Sequence, residues 1–176
     1  MDIVVKSAAQ VGRKAYARGM TMIELMLAIV IVAILMTIAI PSFKNATLGS
    51  QLSASANNLL GSVQLARSEA IKRNVAVTLC TSVNGTSCTG AGSWQQGWIV
   101  VSAGQVIQYQ QALPNGYLVT QTGGTAPLSF QPIGIGATAA TFKVCRNNPD
   151  GSQERVVTVS AAGSVYVTTT ETGTCP

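Results

Sequence analysis

The sequence predicts an α+β protein in which one long N-terminal helix packs on an antiparallel β-sheet domain. A run of 19 uncharged residues, 25–43, precedes apolar residues spaced three and four apart as far as about residue 73. From residue 75 onward, short β-prone runs alternate with turn sequences such as Asn84-Gly85. Charged residues make up only 10% of the chain, so we expect polar surfaces built from Ser, Thr, Asn, Gln and Gly.

The net charge of +5 is concentrated near the N-terminus. Residues 1–19 contain four basic residues and one acidic residue, a balance of +3, which leaves +2 for residues 20–176. The excess therefore describes a short basic leader more than the folded body. The chain contains no histidine, which excludes serine–histidine triads and histidine-bearing metal centres.

The uncharged run is long enough to cross a membrane. As a helix rising 1.5 Å per residue, it spans about 30 Å, the thickness of a bilayer's hydrocarbon core. Basic residues precede it, so its N-terminus should stay cytoplasmic and the rest should be exported. A cleaved secretory signal peptide is the alternative. The run is longer than a signal core, however, and no small-x-small cleavage site ends it.

A single acidic residue, Glu24, stands at the head of this apolar run, where a carboxylate normally needs a partner. The surrounding sequence RGMTMIEL, residues 18–25, resembles the class III signal of type IV pilins and type II secretion pseudopilins. The resemblance implies that prepilin peptidase cuts between Gly19 and Met20, that Met20 is N-methylated, and that Glu24 becomes the fifth mature residue. It also implies that Pro41 kinks the helix and that a neighbouring subunit's N-terminal ammonium neutralises Glu24.

We expect one helix from about residue 22 to 73, bent near Pro41, where proline removes a backbone hydrogen bond. The run ARSEAIKR at its end, followed directly by a strand, resembles the GspH/FimT branch of minor pilins and pseudopilins. Within it, we interpret Arg67 and Glu69 as solvated or locally paired. The predicted buried face of the second half consists of Leu48, Leu52, Ala56, Leu59, Val63, Ala66 and Ala70.

The β-rich part should contain eight short strands. The resemblance continues here through Trp98, the run FQPIG at residues 130–134, and Gly163. The expected strands are Val75–Cys80, Gly97–Ser102, Val106–Gln110, Tyr117–Thr120, Leu128–Gln131, Ala140–Cys145, Arg155–Ser160 and Ser164–Thr168.

Four cysteines follow the apolar run, and an even number in an exported domain favours two disulfides. Three pairings are possible. We prefer Cys80 with Cys88, which closes a short hairpin loop, and Cys145 with Cys175, which pins the C-terminal tail. Because no CxxC pair or histidine is present, we expect no zinc site, and we expect no other cofactor.

DNA binding is the main alternative function, because some FimT-type minor pilins capture DNA. Lys143, Arg146 and Arg155 lie on neighbouring predicted strands or turns, from which they would meet phosphates. The family's DNA-binding signature is Gly-Arg-x-Arg, and its counterpart here, residues 163–166, reads GSVY. Without either arginine, DNA binding is not favoured.

Paired-carboxylate catalysis is a further alternative, suggested by Asp150 and Glu154 on either side of a predicted turn. We interpret both as solvated turn residues and predict no catalytic residue.

The predicted organisation is a removed leader (1–19), a transmembrane or filament-core helix (20–43), an amphipathic helix half (44–74) and a periplasmic β-rich domain (75–176). The implied function is that of a non-enzymatic minor pilin or pseudopilin in the bacterial inner membrane. It would take part in the assembly, at initiation or at the tip, of a type IV pilus or a type II secretion pseudopilus. The expected partners are prepilin peptidase, other pilins or pseudopilins, and inner-membrane lipid. The sequence does not decide between the two machines.

Overall fold

The computed structural model describes residues 19–90, 92–123, 127–134, 137–147, 153–172 and 175. The chain divides into two compact units, Met1–Ser42 and Phe43–Pro176. Residues 1–18 of the predicted leader and Asp150 lie outside the described residues.

Helix α1 extends over Met22–Arg73, as the sequence predicts, and it continues through Pro41. Its first turn is capped by Thr21, whose hydroxyl accepts a hydrogen bond from the Glu24 backbone N–H at 3.3 Å. Lys72 and Arg73 occupy the last turn, where basic side chains complement the negative end of the helix dipole. The bend at Pro41 stays a prediction.

In the first unit, no residue of helix α1 is buried. Every residue from 22 to 42 is exposed, and the large apolar side chains among them are 49–80% exposed. The most apolar window of α1 has a mean hydropathy of 2.9, and none of it is buried. By length and composition, α1 is the one helix among the described residues that could cross a membrane.

In the second unit, the strands form two four-stranded antiparallel sheets, which confirms the predicted antiparallel β-sheet domain. One sheet has the order β3-β2-β1-β5 and the other β4-β6-β7-β8. All eight predicted strands are present among the described residues, with ends that differ by at most three residues. They are β1 (Val77–Thr81), β2 (Trp98–Ser102), β3 (Gln105–Gln110), β4 (Tyr117–Gly123), β5 (Leu128–Phe130), β6 (Ala140–Arg146), β7 (Glu154–Val159) and β8 (Val165–Thr170).

The second half of α1 and both sheets share one hydrophobic core. All seven residues of the predicted helix stripe, from Leu48 to Ala70, are buried. They pack with Phe130 of one sheet and Phe142 of the other. One hydroxyl lies among them: the buried Ser62 accepts a hydrogen bond from the Trp98 indole N–H at 2.9 Å. This bond satisfies the only polar atom of the Trp98 side chain and fixes the helix against β2.

Candidate functional site

The predicted processing and assembly residues lie at the start of α1. Gly19 and Met20 are exposed and precede the helix, and Glu24 is exposed in its first turn. Within residues 19–90 and the other described segments, the Glu24 carboxylate has neither a hydrogen bond nor an ion pair.

Arg67 joins α1 to two remote loops, which corrects its interpretation as a solvated or locally paired residue. Its Nε donates to the carbonyl oxygen of Gly134 at 3.0 Å, and its Nη1 donates to that of Gly163 at 3.1 Å. Both glycines have a positive φ, +73° and +76°, which favours residues without a Cβ. A Cβ on Gly163 would also lie 3.0 Å from the Gly134 carbonyl oxygen. We call these three residues the arginine clasp.

The arginine clasp unites three of the sequence elements that carried the family resemblance. Arg67 belongs to ARSEAIKR, Gly134 ends FQPIG, and Gly163 was noted separately. Sequence reasoning missed the contact because the partners are 67 and 96 positions away. The available signal was the presence of two turn glycines and one helix arginine in the same resemblance.

Glu69 is locally paired, as predicted. Its carboxylate accepts a hydrogen bond from Arg73 and lies 3.6 Å from Lys72 Nζ. The Arg73 hydrogen bond lowers the pKa of Glu69, with a smaller contribution from Lys72, and together they outweigh the opposing effect of burial. This cluster stabilises the end of the helix.

Glu154 is fully buried, so its interpretation as a solvated turn residue is wrong. Its carboxylate lies 3.2 Å from Lys143 Nζ and accepts hydrogen bonds from the hydroxyls of Thr170 at 3.1 Å and Thr172 at 2.8 Å. Burial alone would raise the pKa of Glu154. The bonds from Thr172, Lys143 and Thr170 and the charge of Lys143 reverse that effect, and the pKa is lowered. The network holds the end of β8 against β6 and β7.

The three candidate DNA-binding residues do not form one basic surface. Lys143 is engaged with Glu154, and Arg155 donates to Ser53 Oγ at 3.2 Å and to the Glu154 carbonyl at 2.9 Å. Val144, the neighbour of Lys143, pairs with Arg155 across the strands, so Lys143 and Arg155 lie on opposite faces of the sheet. Arg146 lies over the Tyr117 ring, 5.7 Å from its centroid.

All four cysteines are bonded, in the pairs preferred from the sequence. Cys80 pairs with Cys88, and Cys145 with Cys175, and each pair has a Cα–Cα distance of 5.6 Å. The second bond ties the C-terminal tail to β6, close to the Glu154 network. Among the described residues, no group of His, Cys, Asp and Glu side chains could hold a metal ion.

These features define a pilin-like subunit. Its helix has an exposed apolar first half with an acidic residue in the first turn, and a second half that packs on antiparallel sheets. The chain belongs to the family of the type II transport protein GspH, whose model matches residues 55–163. The prokaryotic N-terminal methylation motif matches residues 14–40, which include Gly19, Met20 and Glu24. A comparison with curated proteins finds no match.

The comparison with solved structures finds a minor pilin and a minor pseudopilin. The chain is similar to the type IV minor pilin FimU of Pseudomonas aeruginosa (strain PAO1), with 20% identity and a TM-score of 0.54 over 68% of this chain and 89% of that one. It also matches the minor pseudopilin EpsH from the Type 2 Secretion System of Vibrio cholerae, with 17% identity and a TM-score of 0.48 over 67% and 96% of the two chains. The likeness to FimU confirms the predicted pilin-like fold.

Proposed function

We propose that this chain is a non-enzymatic minor pilin or pseudopilin. It inserts in the inner membrane with its β-rich domain in the periplasm, and prepilin peptidase cuts it between Gly19 and Met20. With Met20 methylated, it joins other pilins or pseudopilins at the initiation or tip of a type IV pilus or a type II secretion pseudopilus.

The observation that carries this proposal is the contrast between the two halves of α1. The half after Phe43 buries a complete apolar stripe, whereas no residue of 22–42 is buried. Ten Leu, Ile and Val residues lie between positions 25 and 40, and each contributes about −0.3 to −0.6 kcal/mol to membrane insertion. Such a surface needs lipid, or the equivalent helices of other subunits, to cover it.

Glu24 gives this assembly a register. Once α1 is surrounded by lipid or by other helices, an unpaired carboxylate at its head is costly. Cleavage after Gly19 creates an ammonium at Met20, and a neighbouring subunit that carries the same group neutralises Glu24 at one axial offset. Among the described residues, no side chain forms an ion pair with the Glu24 carboxylate, which supports this role.

The proposal assigns no catalytic residue. The two buried or nearly buried carboxylates of the described residues, Glu69 and Glu154, have structural partners. We do not propose DNA binding as a second function, because Lys143 and Arg155 engage groups within the domain and lie on opposite sheet faces.

Processing is tested by intact-mass spectrometry of the chain from cells with and without prepilin peptidase. We expect a mature N-terminus at Met20 that carries one methyl group, and the full chain when the peptidase is absent. An intact start at Met1 in the presence of the peptidase, or a start far beyond Met20, would contradict the proposal.

Assembly is tested by complementing a strain that lacks the gene with Glu24→Ala. We expect normal membrane levels and both disulfides, but loss of the chain from the sheared filament or pseudopilus fraction. The matched control is Glu171→Ala, which removes the same group from an exposed position in the β-rich domain. Normal incorporation of the Glu24→Ala chain would refute the register argument.

A further inference from the structure

Within the second unit, a groove of about 360 Å³ opens between strand β6 and the part of α1 that begins at Phe43. It is lined by Phe43, Lys44, Thr47 and Arg146. Phe43, the last residue of the uncharged run, is 74% exposed. Lys44 and Thr47 are also exposed, and Arg146 is half-buried. Strand β6 thus places Arg146 in the same groove as Lys44, the first basic residue after the apolar run.

The position of the groove along the chain fixes its depth relative to a membrane. Thr47 lies four residues beyond Phe43, about 6 Å along a helix. The headgroup layer on each side of a bilayer is about 5–8 Å thick. If the apolar run fills the hydrocarbon core, Lys44 and Arg146 therefore lie at the level of the lipid phosphates.

The side chains around the groove suit that environment. The Arg146 guanidinium carbon lies 5.7 Å from the ring centroid of Tyr117, its cross-strand neighbour. A contact with a ring face uses none of the guanidinium N–H groups for hydrogen bonding, so they can still donate to an anion. In the part of the chain that the structure describes, neither Lys44 nor Arg146 forms an ion pair. Tyr117 adds one of the two aromatic residue types that concentrate at membrane interfaces.

We propose that Lys44 and Arg146 bind the phosphate of an anionic phospholipid headgroup in the leaflet that faces the β-rich domain. Arg146 donates two N–H groups to the phosphate oxygens, and Lys44 supplies a second positive charge. Phe43 lies at the boundary with the acyl chains. The inference depends on the membrane insertion in the proposed function, and it adds a lipid specificity to it.

The test uses the mature full-length chain in nanodiscs that contain phosphatidylglycerol and phosphatidylcholine. Spin-labelled analogues of the two lipids report the fraction held at the protein, and hence their relative association constants. We expect preference for phosphatidylglycerol, reduced about fivefold by Lys44→Gln or Arg146→Gln and about 25-fold by both. Lys44→Arg should retain it.

Lys72→Gln is the matched control. It removes the same charge from an exposed side chain 28 residues further along α1, about 42 Å from Lys44, and should leave the preference unchanged. Equal retention of the two lipids, or an equal loss of preference in Lys72→Gln, would overturn the proposal. The proposal would also be overturned if Lys44→Gln and Arg146→Gln left the lipid preference unchanged but abolished binding of the chain to duplex DNA.

Extraction of the chain with alkaline carbonate separates this inference from the proposed function. A chain that is extracted from the membrane is not inserted, which counts against the proposed function. A chain that resists extraction yet shows no lipid preference overturns the headgroup site alone.

Discussion

Replacing Arg67 with methionine removes both bonds of the arginine clasp while keeping a long apolar stem. A hydrogen bond that involves a charged group contributes about 1.5–3 kcal/mol. We take the lower value for each bond because Arg67 is partly exposed, which gives about 3 kcal/mol for the two. Arg67→Lys keeps the charge but reaches at most one carbonyl in the same geometry, so we expect a loss of about 1.5 kcal/mol.

The assay is urea unfolding of the mature chain in mild detergent, followed by the fluorescence of Trp94 and Trp98, which are both buried. With a slope of about 2 kcal/mol per M, the midpoint should fall by about 1.5 M in Arg67→Met and by about half as much in Arg67→Lys. Lys72→Met, in the same region of α1, removes only an exposed ion pair with Glu69 at 3.6 Å, which contributes about 0.5 kcal/mol, so the midpoint should fall by only about 0.25 M. An Arg67→Met midpoint equal to that of the unsubstituted chain would refute the clasp as a stabilising contact.

Three further predictions concern the core and the C-terminal tail. Since the pKa of Glu154 is lowered from 4.5, its contribution to stability is present above that value and lost as pH falls through the folded-state pKa. The free energy of unfolding should therefore fall less steeply below about pH 5 in Glu154→Gln. Ser62→Ala leaves the buried Trp98 N–H unpaired and should cost about 1–3 kcal/mol in urea unfolding. Replacing Cys145 and Cys175 with alanine should cost about 3.6 kcal/mol by loop entropy, measured in the same way.

Each of these has an internal comparison. Glu171→Gln alters an exposed carboxyl and should keep the pH slope, and an unchanged slope in Glu154→Gln would contradict the buried network. Ser68 and Ser62 each donate their hydroxyl to a backbone carbonyl one helical turn earlier, at 2.9 Å, but Ser68 is exposed. Ser68→Ala should therefore cost little, and an equal loss of stability at both serines would count against the Trp98 bond. Opening the shorter Cys80–Cys88 loop should cost less, about 2.5 kcal/mol, and the reverse order would contradict the entropic account.

Local pattern was enough to predict the helix and the strands. The bounds 22–73 follow from the apolar run, the spacing of the stripe from Leu48 to Ala70, and basic residues at the end. The division into two sheets was not predictable in this way. It depends on β1 pairing with β5, across the 46 positions between Thr81 and Leu128, and alternation within a strand says nothing about which strand lies beside it.

The residues of the candidate site likewise fall into those recognised from local sequence and those whose contacts are remote in sequence. Gly19, Met20 and Glu24 were selected because their spacing is local, and their roles stay proposals. The burial of Glu154 was missed because its partners are remote in sequence: Lys143 on β6, Thr170 at the end of β8 and Thr172 just beyond it. In sequence, it is only a carboxylate beside a turn.

The span between Arg67 and Gly163 also constrains the order of events during synthesis. The 96 residues from 68 to 163 take a ribosome roughly 5–20 s to add, and the clasp cannot close until they exist. During that interval, the apolar stripe of α1 from Leu48 to Ala70 is not covered by completed sheets. A nascent chain that pauses before Gly163 therefore offers holdase chaperones a target that a completed one conceals.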